Sequence, residues 1–149
     1  MCLNGSKQEK GIDYDESYSP TGQYVSICIC IALATALDLR IYALDVDNAF
    51  QCTPKVDNQE DPPTFITMPP LYLQWFQDRF PKIKLKGTGP FVLQMLNFMQ
   101  GNRKAGRAFH ILIKAILGQI GLSPTSVDKA VFVWIYKEDY IVILISKTD

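Results

Sequence analysis

One stretch constrains the fold more than any other. No charged residue occurs from Ser17 to Leu37, and within it Val25–Leu37 is apolar apart from Ser26 and Thr35. Thirteen such residues are too few to cross a bilayer, which takes about 20 as a helix. They are also too apolar on every side for a helix lying on a surface. The segment therefore predicts a helix buried on most sides, entered through Ser19-Pro20-Thr21 with Ser19 or Thr21 as N-cap and broken at Asp38-Leu39-Arg40. A buried helix needs layers around it. At 149 residues, 48% hydrophobic and 20% charged, the chain has the size and composition of one ordinary domain.

The remaining elements are short. Ile41–Leu44 reads as a strand with Asp45 at its C-terminal end, and residues 53–64 as a polar, Pro-rich loop. Phe65–Met68 reads as a strand closed by Pro69-Pro70, Leu71–Phe80 as an aromatic-rich helix, Gly87–Pro90 as a turn and Phe91–Met95 as a strand. The clearest helix is Arg103–Ile120. Phe109, Leu112, Ile113, Ile116, Leu117 and Ile120 mark its core face, and Gly121 caps it ahead of Pro124. Arg103, Arg107, His110 and Lys114 share the opposite face, which is either a solvated stripe or a binding surface. Ala130–Tyr136 and Tyr140–Ile145, split by Lys137-Glu138-Asp139, form a hairpin. Helices and antiparallel strands without βαβ alternation predict the α+β class, a short antiparallel sheet packed on helices.

The first residues lack the apolar core of a signal peptide, so the expected compartment is cytoplasmic or nuclear, with no membrane partner. The four cysteines form no CxxC pair and there is one His. That argues for reduced thiols rather than a zinc site.

Two carboxylates could carry chemistry. Leu44–Phe50 and Ser146–Asp149 each place an Asp at the end of a predicted strand. Carboxylates on adjacent strand ends can share Mg²⁺, which takes one or two of them plus substrate phosphates. On spacing alone the signal is weak, since an Asp at a strand end is usually an ordinary turn former.

The order of short motifs carries more information. Gly11-Ile12-Asp13-Tyr14-Asp15-Glu16-Ser17-Tyr18-Ser19-Pro20 resembles the G-x-D-Y-x-E-T-F-S-P signature of reverse transcriptases from Ty1/copia-type LTR retrotransposons. Leu44–Phe50 resembles their M-D-V-x-T-A-F motif, and Phe65–Pro70 their Y-M-x-Q-P-P segment. Met99–His110 resembles L-Y-G-L-K-Q-A-P-R-Q-W-Y. Gly121 with Asp128-Lys129-Ala130-Val131-Phe132 resembles L-G-F-x-x-x-x-x-D-x-x-L-F. The five run in family order along nearly the whole chain.

The resemblance implies a partial reverse transcriptase domain over residues 1–149, a palm with a fingers remnant from the polymerase right hand. It would end at the first Asp of the motif whose second Asp follows directly. By that resemblance Asp45 and Asp149 are catalytic carboxylates holding two Mg²⁺ or Mn²⁺ ions, and Val46 adds its backbone carbonyl. Phe50 stands at the aromatic gate against a ribose 2′-OH, where core packing is the competing role. Gln100 and Gly101 line the incoming nucleotide, and Arg103, Lys104, Arg107 and Lys114 track nucleic acid, with holding the palm together as the other role for Arg107. The implied activity is RNA-directed DNA polymerisation, a nucleotidyl transfer. Its partners would be an RNA template, a DNA primer, dNTP and the rest of a Pol polyprotein (thumb, RNase H, integrase), in a virus-like particle or the nucleus.

Departures from the pattern are specific. Gly106 replaces Pro, Cys52 a polar residue, and Lys147-Thr148 the usual Tyr-Val. The chain stops at Asp149 and begins after the family's basic fingers strand, so the expectation is that it does not extend a primer alone. Two other readings stay open. One is a non-catalytic retroelement product binding nucleic acid through the basic helix face. The other is an unrelated α+β interaction domain.

Net charge is zero, with 15 basic and 15 acidic residues, which taken alone argues against nucleic acid. The total conceals a partition. From Arg79 to Val127 there are eight Lys/Arg and no Asp or Glu, leaving seven basic against fifteen acidic residues elsewhere.

Overall fold

The computed structural model describes residues 2–56, 63–85, 90–137 and 139–146. The chain divides into two units. One runs to Thr53 and resumes at Phe98, and the other is Pro54–Asn97.

In the larger unit, helix α1 spans Tyr24–Ala36. Neither Ser19 nor Thr21 caps it. Asp128, 105 positions downstream, accepts hydrogen bonds from the Gln23 amide at 3.0 Å and the Ser26 hydroxyl at 2.5 Å. A carboxylate from another element thus supplies what the local sequence lacks at the positive end of the helix dipole. Ser19 instead donates to the Gly106 carbonyl at 3.0 Å. At the other end Asp38 takes the left-handed conformation (φ 51°), and the Leu39 amide closes back on the Ala34 carbonyl.

The expected burial of α1 is not realised. Ala34 is its one buried residue, while Tyr24, Val25, Ile29, Ile31 and Leu33 are exposed. The core has formed elsewhere, and α1 is attached through its N-terminal end rather than enclosed.

That core lies between helix α3 (Ala105–Gln119) and an antiparallel sheet. Its strands, in the order β3-β4-β5, are numbered here by their place in the whole chain: β3 Ser123–Pro124, β4 Val131–Tyr136 and β5 Asp139–Leu144. β4 pairs with β5 from Val131↔Leu144 to Tyr136↔Asp139 and with β3 through Ser123↔Val133 and Pro124↔Phe132. Leu117, Leu122 and fully buried Phe132 form the centre, with Ile113, Trp134, Ile143 and Ile145 packed around it. The buried line along α3 runs through Ala105, Ile113 and Leu117; Ile116 and Ile120, expected on the core face, are exposed. His110 turns inward, its ring 6.3 Å from that of Phe132.

Gly121 ends α3 with φ 89°. The Leu122 amide reaches back to the Leu117 carbonyl at 2.9 Å, and a Cβ on Gly121 would press on the Trp134 ring. Both constraints select glycine.

The smaller unit holds strand β1 (Phe65–Thr67) paired antiparallel with β2 (Val92–Gln94), and helix α2 (Pro70–Arg79). Pro70 opens α2, where the missing amide costs nothing. Met68 and Met95 are buried, and Tyr72, Trp75, Phe76 and Phe80 form a chain of ring contacts.

The expected strand Ile41–Leu44 is absent. Residues 41–46 adopt no regular structure. No described residue offers them a backbone partner, and Ile41, Tyr42 and Leu44 are 66%, 75% and 95% exposed. An isolated strand cannot satisfy its own amides, so β-propensity without a neighbour leaves the segment irregular.

Candidate nucleic-acid interface

Asp45 and Val46 sit at the end of that irregular segment, exposed to solvent. Asn48, in the left-handed conformation at φ 53°, then turns the chain into one helical turn. The Cys52 amide bonds the Asn48 carbonyl at 3.0 Å, and the Thr53 hydroxyl bonds that of Ala49 at 2.8 Å. The turn carries Phe50 onto α3, edge to face with Phe109 at 6.4 Å. The ring expected as a sugar gate makes the packing contact of its competing role.

No group of three or more His, Cys, Asp or Glu side chains converges among the described residues. Asp45 provides a single exposed carboxylate there. Mg²⁺ requires few protein ligands, so Asp45 with the Val46 carbonyl matches part of such a set. The second carboxylate, Asp149, lies outside the described residues.

Gln100 and Gly101 form a tight turn before α3. Gly101 has φ 89°. A Cβ on it would collide with the Leu3 carbonyl, and one on Gly5 would collide with the Gly101 carbonyl. The Leu3 amide donates to the Gln100 carbonyl at 2.8 Å. The expected nucleotide-lining turn therefore has the chain's own first residues against it.

Arg103 and Lys104 precede α3 rather than lying on it. Buried Asn102 organises that turn, its side-chain oxygen accepting from the Lys104 amide at 2.8 Å. The Arg103 Nε donates to the Gly5 carbonyl at 3.0 Å and its amide to Gln8 Oε1 at 2.9 Å. Its guanidinium is 5.8 Å from the centre of the Tyr14 ring. Arg107 pairs with Glu16 at 2.6 Å. Lys10, Tyr14, Asp15, Glu16, Tyr18 and Arg107 are among the residues lining an open cleft of about 390 Å³. Lys114, two turns further along α3, is exposed.

His110 lies between these groups and the core. Its Nδ1 is buried without a hydrogen-bond partner among the described residues. Burial, then the positive charges of Lys114 and Arg107, lower its pKa.

The structure brings Phe50 to α3, and Gln100, Gly101, Arg103 and Arg107 to the N-terminal segment. Asp45 makes no hydrogen bond or ion pair with a described residue. Sequence reasoning passed over Glu16, Asn102 and Asp128. Asp128 was visible as a motif position, and Glu16 as an acid within a quoted signature, but neither motif names a partner.

Fifty residues, 34% of the chain, are 44% identical to the retrovirus-related Pol polyprotein from transposon TNT 1-94 of Nicotiana tabacum. Over 133 residues, 89% of the chain, identity is 26% to the retrovirus-related Pol polyprotein from transposon RE1 and 25% to that from transposon RE2, both of Arabidopsis thaliana. The chain's relatives are Pol polyproteins of plant transposons. It matches 4% of the length of the first and 8% of each of the other two, so in each relative the matched region is a small part of a much larger polyprotein. No protein-family model and no solved structure matches the chain. No helix among the described residues is long and apolar enough to cross a membrane.

Proposed function

We propose that the chain is part of the reverse-transcriptase region of such a Pol polyprotein: a palm with a fingers remnant that faces primer, RNA template and dNTP. The observation that carries this reading is the order of the five motifs. They succeed one another along the chain, 89% of which aligns with two transposon Pol polyproteins. Any one motif is weak evidence, whereas their sequence is hard to obtain by chance.

In this reading Asp45 and the Val46 carbonyl contribute to a divalent-cation site, with Asp149 as the second carboxylate. A cation held there would neutralise charge on the transferred phosphate. Phe50 borders the sugar, Gln100 and Gly101 border the nucleotide, and Lys104, Arg107 and Lys114 follow the phosphate backbone. The protein's contribution is position and charge, since base pairing supplies sequence specificity.

The test is binding of fluorescent oligo(dT) annealed to poly(rA), followed by anisotropy, together with Mn²⁺-induced NMR line broadening. The reading expects binding that weakens with salt, log K falling linearly with log salt in proportion to the number of phosphates neutralised. It also expects Mn²⁺ broadening centred on Asp45–Val46 that disappears in Asp45→Asn. Absence of duplex binding at low salt, or broadening indifferent to Asp45, refutes it.

A further inference from the structure

The N-terminal end of α3 gathers positive charge from two sources. Arg103, Lys104 and Arg107 cluster there, and the helix dipole adds partial positive charge at the same end. No acid lies on α3 or in its flanks from Arg79 to Val127. The partners of Arg103 and Arg107 come from one distant stretch. Glu16 holds Arg107, Gly5 and Gln8 hold Arg103, Tyr14 lies beside the Arg103 guanidinium, and Leu3 bonds to Gln100. The fit of that stretch on the Gln100-Gly101 turn depends on two glycines lacking Cβ atoms.

No residue of that stretch, 3–16, is buried. Its one regular element is the 3-10 turn Gly5–Lys7, which contains no buried residue. Its ion pair joins groups 64% and 42% exposed, for Glu16 and Arg107 respectively. Pairs of that kind are weak and screened by salt. A phosphate backbone competing for the same cations gains counterion release at every contact.

We propose that residues 3–16 are an intramolecular cover over the polyanion-binding end of α3, with Glu16 occupying the place on Arg107 that a phosphate takes when nucleic acid binds. The inference rests on the nucleic-acid reading above and adds regulation to it: the chain carries its own competitor, and binding requires that competitor to lift.

The experiment uses the full chain and the poly(rA)/oligo(dT) duplex. Glu16→Gln should tighten binding by up to about fivefold, the equivalent of one exposed ion pair. Asp139→Asn makes the same charge change on exposed β5 and should move affinity by less than about twofold. In the wild-type chain, saturating duplex should speed hydrogen exchange at the Leu3 amide. Equal effects of the two substitutions, or Leu3 exchange unchanged or slowed by duplex, overturn the cover. Duplex binding with no Glu16 effect removes this inference alone. Absence of binding in every variant removes the nucleic-acid reading and the cover with it.

Discussion

Asp128 is the residue whose removal the structure expects to cost most outside the apolar core. It is buried, and its carboxylate accepts three hydrogen bonds: from the Ser26 hydroxyl at 2.5 Å, the Gln23 amide at 3.0 Å and the Ala130 amide at 2.9 Å. Two of these donors belong to the start of α1 and the third to the entry of β4, so one side chain ties helix to sheet. A hydrogen bond to a charged acceptor contributes about 1.5–3 kcal/mol, but the three share one carboxylate and do not add. In Asp128→Ala, water can reach the Gln23 and Ser26 donors near the surface, while the Ala130 amide stays fully buried and unpaired. The expected loss is about 3 kcal/mol for Asp128→Ala and about half that for Asp128→Asn, which keeps one acceptor. Against a typical stability of about 5–15 kcal/mol this is a large fraction.

Urea unfolding followed by circular dichroism measures it, with Ser26→Ala completing a double-mutant cycle whose coupling should be about 1 kcal/mol. The pH dependence supplies an independent check. The Ser26 hydroxyl and the Gln23 and Ala130 amides hold the Asp128 carboxyl below its ordinary range. The unfolded chain therefore takes up this proton first as pH falls. The stabilisation is complete above the unfolded value of about 4 and is lost as pH drops through the lower folded value. Asp128→Asn should flatten that part of the stability curve. A change below about 0.5 kcal/mol in Asp128→Ala, or strict additivity with Ser26→Ala, would refute the reasoning.

Two further outcomes follow from the same physics. His110 has its pKa lowered, so the unfolded chain protonates it first. Stability should begin to fall as pH drops below about 6.5, and His110→Phe, measured by urea unfolding at pH 5 and 8, should reduce that dependence. Gly101→Ala forces a Cβ into a left-handed residue and onto the Leu3 carbonyl; it should cost about 1–2 kcal/mol and speed hydrogen exchange at Leu3 more than at Phe132.

What could be read from the sequence divides along a physical line. Elements whose pattern and terminators are local came out close to the expected bounds: α2 between Pro70 and Arg79, α3 ending before Gly121, and the hairpin around Lys137. Elements whose state depends on a distant neighbour came out unevenly: β1 and β2 formed as expected and pair with each other, while others did not. Ile41–Leu44 has strand-like residues and no strand to pair with. Val25–Leu37 has the composition of a buried helix, yet composition cannot say whether other elements surround it, and here they gather around Phe132 instead. The two-residue β3 is held by its pairing with β4, and Ser123-Pro124 carries no strand signal of its own. In the candidate site the motifs nominate residues, but the partners the structure gives them (Glu16 on Arg107, Leu3 on Gln100, Asp128 on Ser26) are separated by about a hundred positions or nearly so and have no local signature.

The charge pattern shows how far such reasoning extends. A run of eight basic residues without an acid, inside a neutral chain, suggests polyanion binding, and four of them, Arg103, Lys104, Arg107 and Lys114, lie on α3 or just before it, where they make a basic face. The sum cannot say which acids already lie against that face. Glu16 lies on Arg107, while the Gly5 carbonyl and Gln8 satisfy Arg103 without any charge. Neutrality in this chain therefore has a spatial component: part of the positive potential at α3 is compensated by an upstream segment held through exposed contacts. Because exposed ion pairs contribute so little, that compensation lowers the resting attraction for anions without abolishing it. If the proposed cover holds, a ligand presenting several phosphates at once would displace the segment, whereas a single small anion would gain little over Glu16. The expected consequence is a preference for long polyanions over mononucleotides, set by the cover as much as by the basic face.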